Sequence, residues 1–225
     1  MDSIESRLKA VVASLPPQVT LVAVSKFHPV EAIREAYDAG QRIFGESRAQ
    51  ELVAKAPQLP TDIRWHFIGH LQTNKVAIVV PFVELIHSVD SLRLLRVIDR
   101  EASRHGKCQD ILLQLHVAEE ETKFGFAVDE IDEAVAEASR FENIRLRGLM
   151  AMATNTDDTE RVRADFIAAK TAFDSIGQSL IADSRCLFDT LSMGMSDDRD
   201  IAIDCGSTMV RIGTDIFGER FRKQN

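Results

Sequence analysis

Short apolar runs and helix-patterned segments alternate about eight times along the 225 residues, which predicts an α/β fold. Eight such units in a chain of this length predict a single (β/α)8 TIM barrel over 1–225. Two further observations agree. The runs are rich in Val, Ile, Leu and Phe without strict polar alternation, as strands covered on both faces require. No Gly-, Ser- or Pro-rich tract, charge block or low-complexity stretch divides the chain. A doubly wound open sheet is the alternative with the same alternation.

In chain order the runs are 20–25, 42–45, 64–69, 83–89, 111–117, 146–152, 188–193 and 209–213. Helical patterns fill the intervals. Pro29 suits a first helical turn, Val30, Ile33, Ala36 and Tyr37 share a face, and Gly40 is the stop. Ser47 and Gln50 have the spacing of a capping box. Asp90 precedes a helix with Leu92, Leu95, Ile98 and Ala102 on one side, closed by Gly106. Ile131, Val135 and Ala138 form a further apolar stripe, and Val162, Phe166, Ala169, Phe173 and Ile176 a longer one.

Composition narrows the function. Hydrophobic residues make up 45% and charged residues 28%, with a net charge of −8 and no basic block. A chain that works on nucleic acid or anionic membrane through bulk electrostatics is therefore not expected. The most apolar stretch, 77–86, is broken by Pro81 and Glu84 and is far shorter than the roughly 20 residues of a membrane span. The first ten residues lack the basic flank and apolar core of a secretory signal, so the cytoplasm is the expected compartment. Cys108, Cys186 and Cys205 are odd in number and widely spaced, and are expected to be reduced thiols filling core. His66 and His70 flank Gly69 at a strand end, without the partners a zinc site needs, so no metal is expected.

In a barrel of this kind, chemistry sits on the loops that follow the strands. The first run ends in Ser25-Lys26, and strand alternation puts Lys26 on the face of Val22 and Val24. An amine above an apolar layer is desolvated, which favours its neutral, nucleophilic form and Schiff-base chemistry. A solvated lysine at a strand end is the plainer reading of the same position. The seventh and eighth runs lead into Ser192-Met193-Gly194-Met195-Ser196 and Arg211-Ile212-Gly213-Thr214. These are the loops where barrels commonly bind phosphate. Gly194 and Gly213 would let backbone approach an anion, and Ser192, Ser196 and Thr214 offer hydroxyls. Ser196 and Thr214 equally suit helix N-caps, and Asp197, Asp198 and Asp215 would repel a phosphate. A Schiff-base lysine and a phosphate cradle at one mouth would together specify a phosphorylated aldehyde.

Five segments then carry a resemblance: AVSKFHPVEAIREAYDAGQRIFGES, WHFIGHLQTNK, RGLMAM, LSMGMSDD and GSTMVRIGTDIFGER. In order and spacing, over nearly the whole chain, they resemble the pyridoxal phosphate homeostasis family. The resemblance implies a barrel of the alanine racemase N-terminal type that binds pyridoxal 5′-phosphate. Lys26 would form the Schiff base. Ser192 and Met193 of the SMGMSDD turn, with Ile212, Gly213 and Thr214, would hold the phosphate. Arg211 would face the pyridine nitrogen, and Met152 would lie near the ring. Ser47 stands where the family commonly has asparagine beside the cofactor. A Lys-x-Gly ending follows the fifth run at Lys123.

The function so implied is carriage or buffering of pyridoxal phosphate in intracellular vitamin B6 homeostasis, with apo forms of pyridoxal phosphate enzymes as partners. A monomer is expected, with neither nucleic acid nor membrane as partner. Two alternatives stay open: a weak pyridoxal phosphate-dependent amino-acid racemase, and a Schiff-base aldolase acting on a sugar phosphate. Racemisation wants a second base opposite the lysine. The sequence has one tyrosine, Tyr37, placed on the apolar side of a helix.

Overall fold

The computed structural model describes residues 3–118, 124–180 and 187–219. Eight parallel strands form a closed barrel in chain order: β1 (Thr20–Val24), β2 (Ile43–Glu46), β3 (Arg64–Phe67), β4 (Val83–Val89), β5 (Gln109–Leu115), β6 (Ile144–Ala151), β7 (Thr190–Ser192) and β8 (Met209–Ile212). Closure is direct. Val22 of β1 pairs with Arg211 of β8, and Ala23 with Ile212, which excludes the open sheet. Around the barrel lie α1 (Ile4–Ser14), α2 (Val30–Asp38), α3 (Ala49–Lys55), α4 (Val76–Val79), α5 (Leu92–Arg104), α6 (Ile131–Ala138), α7 (Thr159–Leu180), α8 (Arg199–Asp204) and α9 (Thr214–Phe217).

The barrel has two apolar layers because strand side chains alternate. The larger layer lies between strands and helices and includes Ala23, Phe44, Trp65, Ile86, Leu113, Leu149 and Ile212. A small layer inside the barrel holds Val22, Leu85, Leu112, Met150 and Met209. Above that inner layer the strands carry polar side chains, and the site is built there.

All eight expected strands form, with ends shifted by one or two residues where loops begin. Gly40 and Gly106, at φ 108° and 60°, follow α2 and α5 as expected of helix stops. One local expectation does not hold. Ser47 and Gln50 form no capping box: Arg48 occupies the N-cap of α3 without a side-chain bond. Asp90 precedes α5 as expected, and Ser91 caps it, its hydroxyl accepting from Leu94 N at 3.3 Å. The alternating pattern also omits α1, which Ser3 caps and which buries Leu8 and Val11. Arg7 Nε of α1 donates to Ile216 O of α9 at 2.8 Å, tying the chain's start to the segment after β8.

Neither of the two described thiols is fully buried. Cys108 is exposed and Cys205 half-buried, because both stand in turns that enter strands; Cys186 and Lys123 lie outside the described residues. Among the described residues no helix is long and apolar enough to cross a membrane.

Candidate functional site

Clefts open at both mouths of the barrel. The N-terminal one, about 270 Å³, is rimmed by charges that neutralise one another. Arg64 pairs with Glu84 at 2.5 Å, Arg145 and Arg147 with Asp110 at 2.6 and 2.9 Å, and Arg147 also with Asp189 at 2.9 Å. The C-terminal cleft, about 260 Å³, gathers residues from loops after six strands. Lys26, Ser47, Ile68, Met152, Ser196 and Thr214 each come from a different one, and Arg211 rises from within the barrel.

Lys26 reaches this cleft because the inward face of β1 runs Val22, Val24, Lys26. It sits in a tight turn in which His28 N donates to Ser25 O at 3.1 Å. Phe27, third in that turn, has φ 68°, the left-handed value that some tight turns require and that a bulky side chain adopts only under constraint. A buried charge network supplies the constraint. Phe27 N donates to Glu51 Oε2 at 2.8 Å, and Ser25 Oγ donates to Glu46 Oε1 at 2.7 Å. Lys55 Nζ donates to Ser25 O, Glu46 Oε1 and Glu51 Oε2 at 3.1, 2.9 and 2.8 Å. Both residues flanking Lys26 are thereby pinned to α3 and β2.

The network is costly to bury. Burial pushes the Glu46 carboxyl above its ordinary range, against the opposing pull of Lys55 and Ser25. For Glu51 burial acts in the same sense, but bonds from Lys55 and the Phe27 amide outweigh it and hold the carboxyl low.

Arg211 is the buried cation of the site. Its Nη1 donates to Ser192 O and Oγ at 2.8 and 2.6 Å, and its Nη2 to Ala151 O at 3.1 Å. Burial lowers its pKa to about 10, which still leaves it charged at neutral pH.

The turn after β7 is set by packing. Gly194 has φ 90°, and a Cβ there would fall 2.7 Å from the Ala202 side chain, so it is glycine to seat α8 rather than to approach a ligand. A Cβ on Gly69 would fall 2.3 Å from Ser47 O, so the absent side chain is what lets the Ser47 loop close down at the cleft. Neither rim hydroxyl is a helix cap. Asp198 stands at the N-cap of α8, and Thr214 is the first helical residue of α9. Two of the three nearby aspartates are already engaged: Asp198 accepts from Met195 N at 2.6 Å, and Asp215 pairs with Arg199. Asp197 lies on the cleft wall.

Of the nine residues expected at the site, Lys26, Ser47, Met152, Arg211, Gly213 and Thr214 line the cleft. Ser192, Met193 and Ile212 do not. Alternation explains this: Met193 and Ile212 point outward into the helix layer, while Ser192 points inward but stays beneath the rim, bonded to Arg211. Ser196, whose hydroxyl the sequence already offers, lines the cleft as well, and the structure adds Asp197, Met195, Ile68 and His28, the last stacked on Phe217 with ring centroids 4.9 Å apart. His66, weighed only as a metal ligand, instead meets His87 inside the barrel at 3.0 Å. No single-residue signal marks that pair, since the fold brings together positions 21 apart.

The alanine racemase N-terminal domain model matches residues 1–221. The pyridoxal phosphate homeostasis protein of Escherichia coli (strain K12) is 41% identical over 209 residues, covering 91% of this chain and 87% of the relative. That of Aquifex aeolicus is 38% identical over 201 residues, covering 89% and 86%. Among solved structures, PipY of Synechococcus elongatus PCC7942 with PLP bound is 38% identical, covering 96% of this chain and 100% of PipY, with a TM-score of 0.87. Without PLP, PipY gives a TM-score of 0.91 at the same identity and coverage. Alanine racemase of Clostridium difficile 630, at 15% identity, covers 99% of this chain and 57% of its own, and with a TM-score of 0.79 is alike in fold alone. By model match, identity and coverage, this chain belongs to the pyridoxal phosphate homeostasis protein family, built on the alanine racemase N-terminal domain.

Proposed function

We propose that the chain binds pyridoxal 5′-phosphate at the C-terminal mouth with Lys26 as its anchoring amine, and holds it inside the cell for delivery to apo-enzymes. The observation that carries this reading is the convergence of three groups on one small cleft: a lysine braced on both sides, a buried arginine, and a rim bearing Ser196 and Thr214. Bound there, pyridoxal phosphate supplies an aldehyde that condenses with an amine and a ring that withdraws electrons from it.

The residues present fit that ligand. Val24, Ile68 and Met152 give apolar contact for a ring. The hydroxyls of Ser196 and Thr214 can donate to phosphate oxygens. Arg211 is fixed by two carbonyls and a hydroxyl, so its guanidinium is a rigid donor for the pyridine nitrogen. A permanent cation there opposes protonation of that nitrogen. Ser47 is shorter than the asparagine common in the family and leaves room at the cleft edge.

Holding is favoured over turnover because the imidazole of the cleft shares the turn of Lys26 and no tyrosine is among the described residues that line the cleft. His28 lies two residues from Lys26 in the same turn. Tyr37, the single tyrosine, donates its hydroxyl to Asp62 at 2.7 Å, away from the cleft. A positioned acid or base is worth typically about 10²–10⁴-fold in rate, so proton exchange at the Cα of an amino acid is expected to be slow.

The test loads the protein with pyridoxal phosphate and offers it separately to an apo-enzyme and to L-alanine in heavy water. Recovery of the apo-enzyme's activity without rapid Cα deuteration is the expected result. Saturable inversion of alanine at ordinary enzymatic rates, lost in Lys26→Ala, would establish the racemase reading instead.

A further inference from the structure

Below the cleft, four inward-facing side chains form one hydrogen-bonded file across the barrel. Arg211 Nη1 on β8 donates to Ser192 Oγ on β7 at 2.6 Å. Ser192 Oγ lies 3.1 Å from His87 Nδ1 on β4, and His87 Nε2 lies 3.0 Å from His66 Nδ1 on β3. None of the four is more than 5% exposed. His66 Nε2, at the far end, has no partner among the described residues and belongs to the side chain that roofs the N-terminal cavity.

Counting protons gives the file a direction. Ser192 Oγ already accepts from Arg211, so its own proton needs an acceptor, and His87 Nδ1 is the one within reach. His87 then carries its proton on Nε2 and donates to His66 Nδ1, which leaves His66 Nε2–H facing the N-terminal cavity. The reverse order strands two buried groups, the Ser192 hydroxyl proton and the His66 Nε2 lone pair, where the forward order strands one. Burial holds His66 down at about 3 and His87 well below its ordinary value, so both imidazoles are uncharged and the direction is kept across neutral pH.

We infer that His87 and His66 are positioning residues for the ring-nitrogen end of the cofactor cleft: they orient the Ser192 hydroxyl so that its oxygen faces Arg211 and fixes the guanidinium edge. This rests on the proposed reading of the cleft as a pyridoxal phosphate site. The imidazoles touch no ligand themselves. They act through Ser192 and Arg211, from the opposite half of the barrel.

Two measurements test it. Histidine-ring NMR of the cofactor-free protein between pH 6 and 8 should show His66 and His87 as neutral Nε2–H tautomers; a proton on His87 Nδ1 overturns the inference whatever the variants do. For the second, His87→Phe and Ser192→Ala should each weaken pyridoxal phosphate binding about 10-fold and shift its visible absorption maximum. His87→Gln keeps one donor and one acceptor and should stay within about 3-fold of the wild type. The double variant should be no worse than either single one, because both break the same file. Additive losses, or wild-type affinity and spectrum in a folded His87→Phe, overturn the role alone. A wild-type chain that takes up no pyridoxal phosphate overturns the cleft reading and this role with it.

Discussion

Lys55→Met is expected to lower folding stability by about 3–5 kcal/mol, the range for removing one partner of a buried ion pair. On a chain of this size that corresponds to a fall in Tm of roughly 6–20 °C. The reason is specific. Among the described residues Lys55 is the one cation bonded to both Glu46, which is fully buried, and Glu51. Without it the Ser25 hydroxyl is the one side-chain donor left to Glu46 among the described residues. The loss should also depend on pH. The Glu46 carboxyl already titrates above its unfolded value, and removing Lys55 raises it further. Between the two values the native state binds more protons than the unfolded chain, so stability falls as pH rises through that window. The deficit of the variant should therefore shrink as pH drops from 8 toward 5. Chemical denaturation of both proteins across that range measures it, and a deficit that grows on acidification would show that Glu46 is not the group left uncompensated.

Replacing Ser196 and Thr214 together by alanine is expected to weaken pyridoxal phosphate binding by at least about 10²-fold, from two hydrogen bonds to a charged group at about 1.5–3 kcal/mol each. Unphosphorylated pyridoxal should lose less than about 3-fold if, as proposed, those hydroxyls face the dianion. Ser192→Ala is the contrast. Its hydroxyl lies under the rim against Arg211, so both ligands should weaken alike. Equal losses of the two ligands in the Ser196/Thr214 variant would remove the rim from the phosphate site.

The parts of the molecule that were legible in the sequence share a cause. Strands covered on both faces leave runs rich in Val, Ile, Leu and Phe, and each is bounded by a glycine, a proline or a charged residue, so the barrel can be counted. Lys26 could be found because alternation along a five-residue strand is a local rule, and Val22 and Val24 do face inward. The same rule, applied to 192–193 and 211–212, would have turned Met193 and Ile212 away from the cleft; a motif match assigns whole turns, whereas the backbone presents alternate side chains. What stayed hidden was non-local. Glu46 at the end of an apolar run and Lys55 on the next helix are unremarkable until β2 and α3 pack and Ser25 joins them. His66 and His87 sit on separate strands and meet only when the barrel closes. Helix α1 fell outside the strand–helix alternation, although Ser3 and the buried pair Leu8 and Val11 carry a legible cap and stripe.

Borohydride reduction followed by mass spectrometric peptide mapping tests directly whether Lys26 holds pyridoxal phosphate. The protein is incubated with pyridoxal phosphate, reduced, digested and read lysine by lysine. One pyridoxyl group per chain, on the peptide containing Lys26 and absent from Lys26→Ala, is the result expected. A mark confined to Lys55, Lys75, Lys123 or another lysine, or spread evenly among exposed lysines with none favoured, would contradict it.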